Sequence, residues 1–365
     1  MMNEQSDFEE VLSLKSFSRN QRAAIAEDTL NKVKDGWYQP SKGSPISLAE
    51  DIAFSVNNTV VYTEYDLHKR KKLILNADET MSTSFATNMS SSLKIEVRHC
   101  TTLQAAQSLV AEMVEDCIGV LNFASAKNPG GGFQRGSNAQ EESLARSSSL
   151  YPTLIQNRVF TEYYDYNRHG KSGLYSHRII YSPRVTIFKD DNGNLLSSPY
   201  HVGMVTVPAP NASVVRQTEL VKSTMMERIR RLLYVFEANK HDSLILGAFG
   251  CGVFKNNPFD VAVMFRQHLE SDEFKNSFKR IIFAVLDADM YQVFKEVFTN
   301  TDLSYIQHGI MRTSLNDNNN KQHLYSNRKQ MCNKRAKQRR QRSSILNDVY
   351  DKNYNDYYNH EDKDE

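Results

Sequence analysis

The sequence predicts an α/β protein: a mixed sheet covered by helices on both faces, with an N-terminal helical extension and a disordered C-terminal tail. Three observations carry this expectation. Between residues 94 and 298, apolar runs of strand length alternate with stretches of helical periodicity. Two of those runs, residues 118–123 and 243–246, read as strands buried on both faces. Beyond about residue 311 the apolar pattern dissolves.

Composition narrows the class. The chain has 365 residues, 40% hydrophobic and 24% charged, which is ordinary for a globular protein. Its formal net charge of +2 is too small for a polycation, although the charge is unevenly placed. No apolar run approaches the roughly 20 residues of a membrane span, and the acidic start MMNEQSDFEE is unlike a secretory signal. Cys100, Cys117, Cys251 and Cys332 show no CxxC or Cys/His spacing, which argues against structural zinc and for free thiols in a reducing compartment. The expected setting is cytoplasmic or nuclear, with no membrane association and a monomeric state. Three segments are expected: residues 1–93 as an extension packed on the core, 94–310 as the main α/β domain, and 311–365 as the tail.

Taken in order, Ser18 with Gln21 fits a capping box, and Ala23, Ala26, Leu30 and Val33 share the face of the helix that follows. Gly36 ends it, with Trp37 and Tyr38 as a hydrophobic follow-on. Residues 52–56 and 60–65 are expected as short strands, and the run TMSTSFATNMSSS as an exposed connection. Ile95 and Val97 alternate as a strand. Thr101 and Thr102 can cap a helix that turns Ala106, Leu109, Val110 and Met113 inward. Strand 118–123, a glycine loop and a helix over 143–151 come next. An insertion-like stretch, 159–176, is dense in Tyr, Arg and His. Strands at 179–181 and 185–188 are separated by Pro183; DDNGN is a turn, and 202–207 a further strand. A helix over 217–239 carries Met225, Ile229, Leu232 and Phe236 on its apolar side. Strand 243–246, a helix over 259–269, strand 281–286 and a helix over 290–298 complete the pattern.

The densest chemistry lies in VLNFASAKNPGGGFQRGSNAQEESLARSSSLY, residues 120–151. Gly130, Gly131 and Gly132 follow Asn128-Pro129, and seven residues later comes Gln140-Glu141-Glu142. Glycines let backbone N–H groups approach a ligand closely, and a run of them cups an anion. A helix beginning just past the loop adds the positive end of its dipole. A turn after Pro129 explains one glycine but not three. Two adjacent glutamates at a helix start are usually surface residues, but here the loop and Gln140 argue for a reactive pair.

GGG, seven residues and QEE, within NFASAKNPGGGF and QEESLARSSSLY, resemble the poly(ADP-ribose) glycohydrolases, in particular their microbial, bacterial-type branch. The later block GAFGCGVFKNNP and the N-terminal RAAIAEDTLNKVKDGWY resemble the same branch. The similarity runs from about Arg19 to about Phe298 and leaves out the tail. It implies a macrodomain fold and hydrolysis of the ribose–ribose O-glycosidic bonds of poly(ADP-ribose), with no metal and no cofactor. It also implies that Glu142 is the catalytic acid and then the base for water, while Glu141 orients ribose hydroxyls. Gln140, Asn122, Asn128, Gly130, Gly131 and Gly132 would line the substrate. Gly250, Gly252, Val253 and Phe254 would wrap the diphosphate from the other side, with Phe254 beside the ribose and Asn256 shaping the loop.

Many macrodomains carry NAAN where this chain has Asn122-Phe123-Ala124-Ser125, which separates it from branches that remove single ADP-ribose units without QEE. Arg98-His99-Cys100 stands where an acidic residue often reads adenine, so adenine recognition is left open. Two other functions stay open: a mono-ADP-ribosyl hydrolase, and a non-catalytic ADP-ribose-binding module, against which both retained glutamates argue. Substrate partners are poly(ADP-ribose) or ADP-ribosylated proteins. Residues 328–342 hold eight basic and no acidic residues. They read as a solvated tail, a nuclear-import or nucleic-acid-binding patch, or a capture site for polyanionic substrate.

Overall fold

A computed structural model describes residues 14–66, 93–112, 118–170 and 172–300. Residues up to 301 form one compact unit. The Ser/Thr-rich run, Met113, Cys117, Cys332 and the whole tail lie outside the described residues.

The chain opens with α1 (Arg19–Asp35). Its capping box is complete: Ser18 Oγ accepts from Gln21 N, and Gln21 Oε1 accepts from Ser18 N at 2.8 Å. Gly36 ends the helix at φ 74°, a left-handed conformation that disfavours side chains. A small hairpin follows, β1 (Trp37–Tyr38) with β2 (Ile46–Ser47), in which Tyr38 is buried and Trp37 faces solvent. Residues 52–56 are not a strand. They lie within α2 (Ala49–Asn57), whose first turn carries Glu50 and Asp51 at the positive end of the helix dipole. β3 is the short strand Val60–Tyr62.

The core then alternates as expected: β4 (Lys94–Arg98), α3 (Thr102–Glu112) and β5 (Ile118–Phe123). The helix read over 143–151 is two helices, α4 (Gln140–Ser147) and α5 (Leu150–Leu154). Extended backbone at Ser148 breaks it, bridging to Ile187 while Ser149 N donates to Thr186 O. Short helical turns occupy 157–169, including a π-type turn at Phe160–Asp165. β6 (Ile179–Lys189) is one strand, not two. Pro183 and left-handed Arg184 sit in a register shift between Ser182 and Val185, so the proline makes a bulge instead of a break. β7 (Leu195–Val207), α6 (Thr218–Ala238), β8 (Ser243–Leu246), α7 (Pro258–Glu270), β9 (Arg280–Ala284) and α8 (Ala288–Thr299) complete the unit.

The seven strands run in the order β3-β6-β7-β5-β8-β9-β4. From β7 to β4 all neighbours are parallel, while β6 and β3 are added antiparallel at one edge. Within the expected N-terminal extension, β3 pairs with β6 at the edge of this sheet. Strand alternation explains the two layers of helices. Ile118, Val120, Ile245 and Ile282 pack with Leu103, Leu109, Leu144 and Leu150. The residues between them face the other way: Gly119 lies beneath Phe236 of α6, and Phe283 packs on Phe265 of α7 and Phe294 of α8. Among the described residues, no helix is long and apolar enough to cross a membrane.

Candidate active site

β5 and β8 are parallel neighbours, so both release their chains at the same edge of the sheet. The loops that follow, 124–139 and 247–257, lie at the carboxyl ends of these two strands, where open α/β sheets usually bind ligands.

The first loop is shaped locally. Ser125 Oγ accepts from Lys127 N and Asn128 N at 3.3 and 3.1 Å, and Asn128 O accepts from Gly131 N at 2.9 Å. Gly131 adopts φ 61°, and a Cβ there would stand 2.9 Å from Glu142 Cδ and 3.1 Å from Glu141 Oε2. Only glycine lets the loop lie directly over the carboxylate pair. A second set of contacts ties the loop to α1: Arg19 Nε donates to Arg135 O, Arg22 Nε to Gly136 O, and Thr29 Oγ1 to Arg146 O. Arg146 in turn donates to Ser137 O at 2.7 Å and Asn138 Oδ1 at 3.0 Å.

The carboxylates stand in the first turn of α4. Glu142 is half-buried, and its Oε1 accepts from Gly132 N at 3.0 Å. Glu141 is 3% exposed, and its Oε2 accepts from Ser125 N at 2.7 Å. Burial pushes the Glu141 carboxyl well above the usual carboxylate range, against the opposing pull of the Ser125 N–H, and the Glu142 charge adds to the rise.

Two residues expected to contact substrate also bond within the scaffold. Gln140 donates to Leu121 O at 2.7 Å and Thr102 Oγ1 at 3.2 Å, and accepts from Phe123 N at 2.9 Å. Its amide thus completes the hydrogen bonding of the end of β5 and fixes the start of α4. Asn122 is fully buried and donates to Thr206 Oγ1 at 3.1 Å. Asn128 is exposed on the loop.

In the second loop Gly250 has φ 72°, and Asn256 Nδ2 donates to Gly250 O at 2.9 Å and Pro210 O at 2.8 Å. Asn256 therefore fixes the loop's shape. Gly252 borders open space, Val253 is 75% exposed, and the half-buried Phe254 ring lies 5.9 Å from that of Tyr175.

Three contributors have no motif in the sequence. Asp191, read only as part of a turn, accepts from Thr101 Oγ1 at 2.5 Å and from Ser143 Oγ at 3.1 Å, beside Glu142 in the chain. Tyr175 adopts φ 56°, a costly conformation for an aromatic residue. Arg228, fully buried, donates to Pro208 O, to Leu174 O at 2.9 Å, to Tyr175 O at 3.3 Å and to His177 Nδ1 at 3.0 Å. That fork holds the Tyr175 segment against Phe254. Residues so separated in sequence leave no spacing to detect. Among the described residues, no group of three or more His, Cys, Asp or Glu converges as a metal site.

A parallel-centred macrodomain-like sheet, glycine loops at two neighbouring strand ends and a carboxylate pair at a helix start define a macrodomain-type glycoside hydrolase. The family described as the microbial-type PARG catalytic domain matches residues 26–190. A crystal structure of poly(ADP-ribose) glycohydrolase from Thermomonospora curvata is 35% identical, covers 76% of this chain and all of its own, and superposes with a TM-score of 0.68. The same enzyme bound to the inhibitor ADP-HPD is 35% identical over 76% of this chain and 99% of its own, at a TM-score of 0.66. The Deinococcus radiodurans enzyme in complex with ADP-ribose is 36% identical over 69% of this chain and 98% of its own, with a TM-score of 0.60. A search of curated protein sequences finds no match. The chain belongs to the microbial-type poly(ADP-ribose) glycohydrolase family.

Proposed function

We propose that this chain hydrolyses the ribose–ribose O-glycosidic bonds of poly(ADP-ribose), free or attached to protein, and releases ADP-ribose. The observation that carries the reading is the Glu141–Glu142 pair held against backbone N–H groups of the glycine loop, at Ser125 and Gly132. In this reading the diphosphate lies between the two loops, along Gly130, Gly131 and Gly132 on one side and Gly250, Gly252 and Val253 on the other. Phe254 packs beside the scissile ribose.

Glu142 delivers a proton to the departing oxygen while an oxocarbenium-like ribose develops, then accepts a proton from the attacking water. The Gly132 N–H holds one Glu142 oxygen and leaves the other for chemistry. Glu141 has the complementary role of orienting ribose hydroxyls. Because burial favours its protonated form, it can donate as well as accept a hydrogen bond. Gln140 and Asp191 act as positioning groups, one at each side of the helix start. An intracellular setting is part of this reading, supported by Cys251, a buried free thiol.

Glu142→Gln keeps the shape but cannot cycle a proton. ADP-ribose release should fall by about 10²–10⁴-fold, while ADP-ribose affinity by calorimetry is retained. Near-normal turnover on purified poly(ADP-ribose) would remove Glu142 from the acid/base role.

A further inference from the structure

Four residues other than glycine hold a left-handed backbone among the described residues: Tyr175, Arg184, Lys240 and Lys255. Arg184 sits in the β6 bulge, and Lys240 in the turn that closes α6, where its N–H donates to Glu237 O at 2.9 Å. The other two come together around one ring. Lys255 follows Phe254 in the second loop, and the Tyr175 ring lies 5.9 Å from that of Phe254 with 38° between the planes. Bulky residues rarely take this conformation, and such outliers cluster at ligand clamps and active sites. Glycine would serve the backbone at 175 without steric cost. What glycine cannot supply is the ring.

The chain holds Tyr175 in that conformation from both sides. Gly173 O accepts from Asn211 N at 2.7 Å, Arg228 donates to Leu174 O and Tyr175 O, and Ser176 N donates to Asn167 Oδ1 at 2.8 Å. Topology sets where this happens. β6 begins at Ile179 and runs antiparallel to β7, with Ile180 opposite Thr206, so the residues just before β6 stand at the edge where β5, β7 and β8 end. The second loop reaches the same edge, and Phe254 O accepts from Ser213 N at 3.1 Å. Both rings are nonetheless only half-buried; beside them Gly252 borders open space and Val253 is exposed. The two aromatic planes thus make one apolar surface, partly open to solvent, at the edge of the sheet where ligands bind.

We propose that Tyr175 is a substrate-contacting residue, its ring extending the Phe254 surface so that the two together pack against the C–H face of the scissile ribose. The proposal rests on the glycohydrolase reading, which puts Phe254 beside that ribose. A sugar ring carries hydroxyls at its rim and C–H groups on its face, and the face gains from an apolar plane. Tyr175→Gly removes the ring but accepts the backbone conformation, so the segment keeps its bonds. ADP-ribose affinity by calorimetry should fall about tenfold in a protein that still melts cooperatively, whereas Tyr175→Phe, which keeps the plane, should bind within about twofold of wild type. A double-mutant cycle separates contact from support. If Tyr175 touches the ribose, Tyr175→Gly should weaken binding at least about threefold further in the Phe254→Ala background. A loss seen only when Phe254 is present would make Tyr175 a support for that ring and overturn the contact. So would unchanged affinity in folded Tyr175→Gly. A wild type that neither binds ADP-ribose nor releases it from polymer overturns the underlying reading, and the contact with it.

Discussion

At Gly131 two requirements meet: a left-handed backbone, and space for the Glu142 carboxylate beneath it. Gly131→Val violates both. The branched side chain would displace the proposed acid or lift the loop off the diphosphate. We expect ADP-ribose affinity by calorimetry to fall by at least about tenfold, some 1.4 kcal/mol, in a protein that still melts cooperatively. Unchanged affinity in a folded variant would mean that this loop is not the cradle. Glu141 offers a test by pH. Its folded pKa lies above the unfolded value of about 4.3, chiefly through burial. Its contribution to stability is therefore full below that unfolded value and is lost as pH rises through the folded pKa. Glu141→Gln has no such titration. Its Tm relative to wild type should climb between acid and mildly alkaline pH, and a pH-independent difference would refute the buried, proton-retaining state.

At the scale of elements, the site depends on contacts between segments far apart in the chain. The start of α4 is locked to the end of β5 by Gln140, the glycine loop is braced by α1, and the second loop is shaped by Asn256. The Tyr175 segment hangs on α6 through Arg228. Arg228→Leu would leave the Pro208, Leu174 and Tyr175 carbonyls without their donor, at a cost of about 3 kcal/mol. Denaturant titration should show that loss, with weaker ADP-ribose binding as the Tyr175–Phe254 contact loosens. Arg228→Lys should not restore it, because an ammonium cannot reproduce the fork. Full recovery by lysine would reduce Arg228 to a buried charge.

For the whole molecule, all seven strands of the main sheet and both loops lie before residue 301. A chain ending at Asn320 should therefore keep its Tm, its ADP-ribose affinity and its rate on short polymer. We expect the KM for long polymer to be unchanged as well, because the acidic stretch from Asp348 offsets the basic run at 328–342. A KM that rises on truncation at low salt and recovers at high salt would instead assign substrate capture to that run.

Much of this was legible because it is local. The capping box at Ser18, the Gly36 stop, strands 118–123 and 243–246 and the long apolar face of α6 follow from side-chain period and backbone preference within a few residues. The glycine loop and the QEE pair were readable for the same reason: their chemistry is contiguous. The tertiary structure decided what depends on neighbours. Residues 52–56 are apolar enough for a strand but form a helix with acidic residues at its start, and Pro183 bends a strand that the proline alone would have ended. Gln140 and Asn122 look like ligand-contacting polar residues, and only the tertiary structure shows that they also bond backbone and hydroxyl groups of β5, α3 and β7. Asp191, Tyr175 and Arg228 reach the site only through the crossing of strands that sequence separation conceals. Local patterns determine which groups are available, whereas the buried hydrogen bonds that remain to be satisfied after the sheet has assembled determine where those groups point.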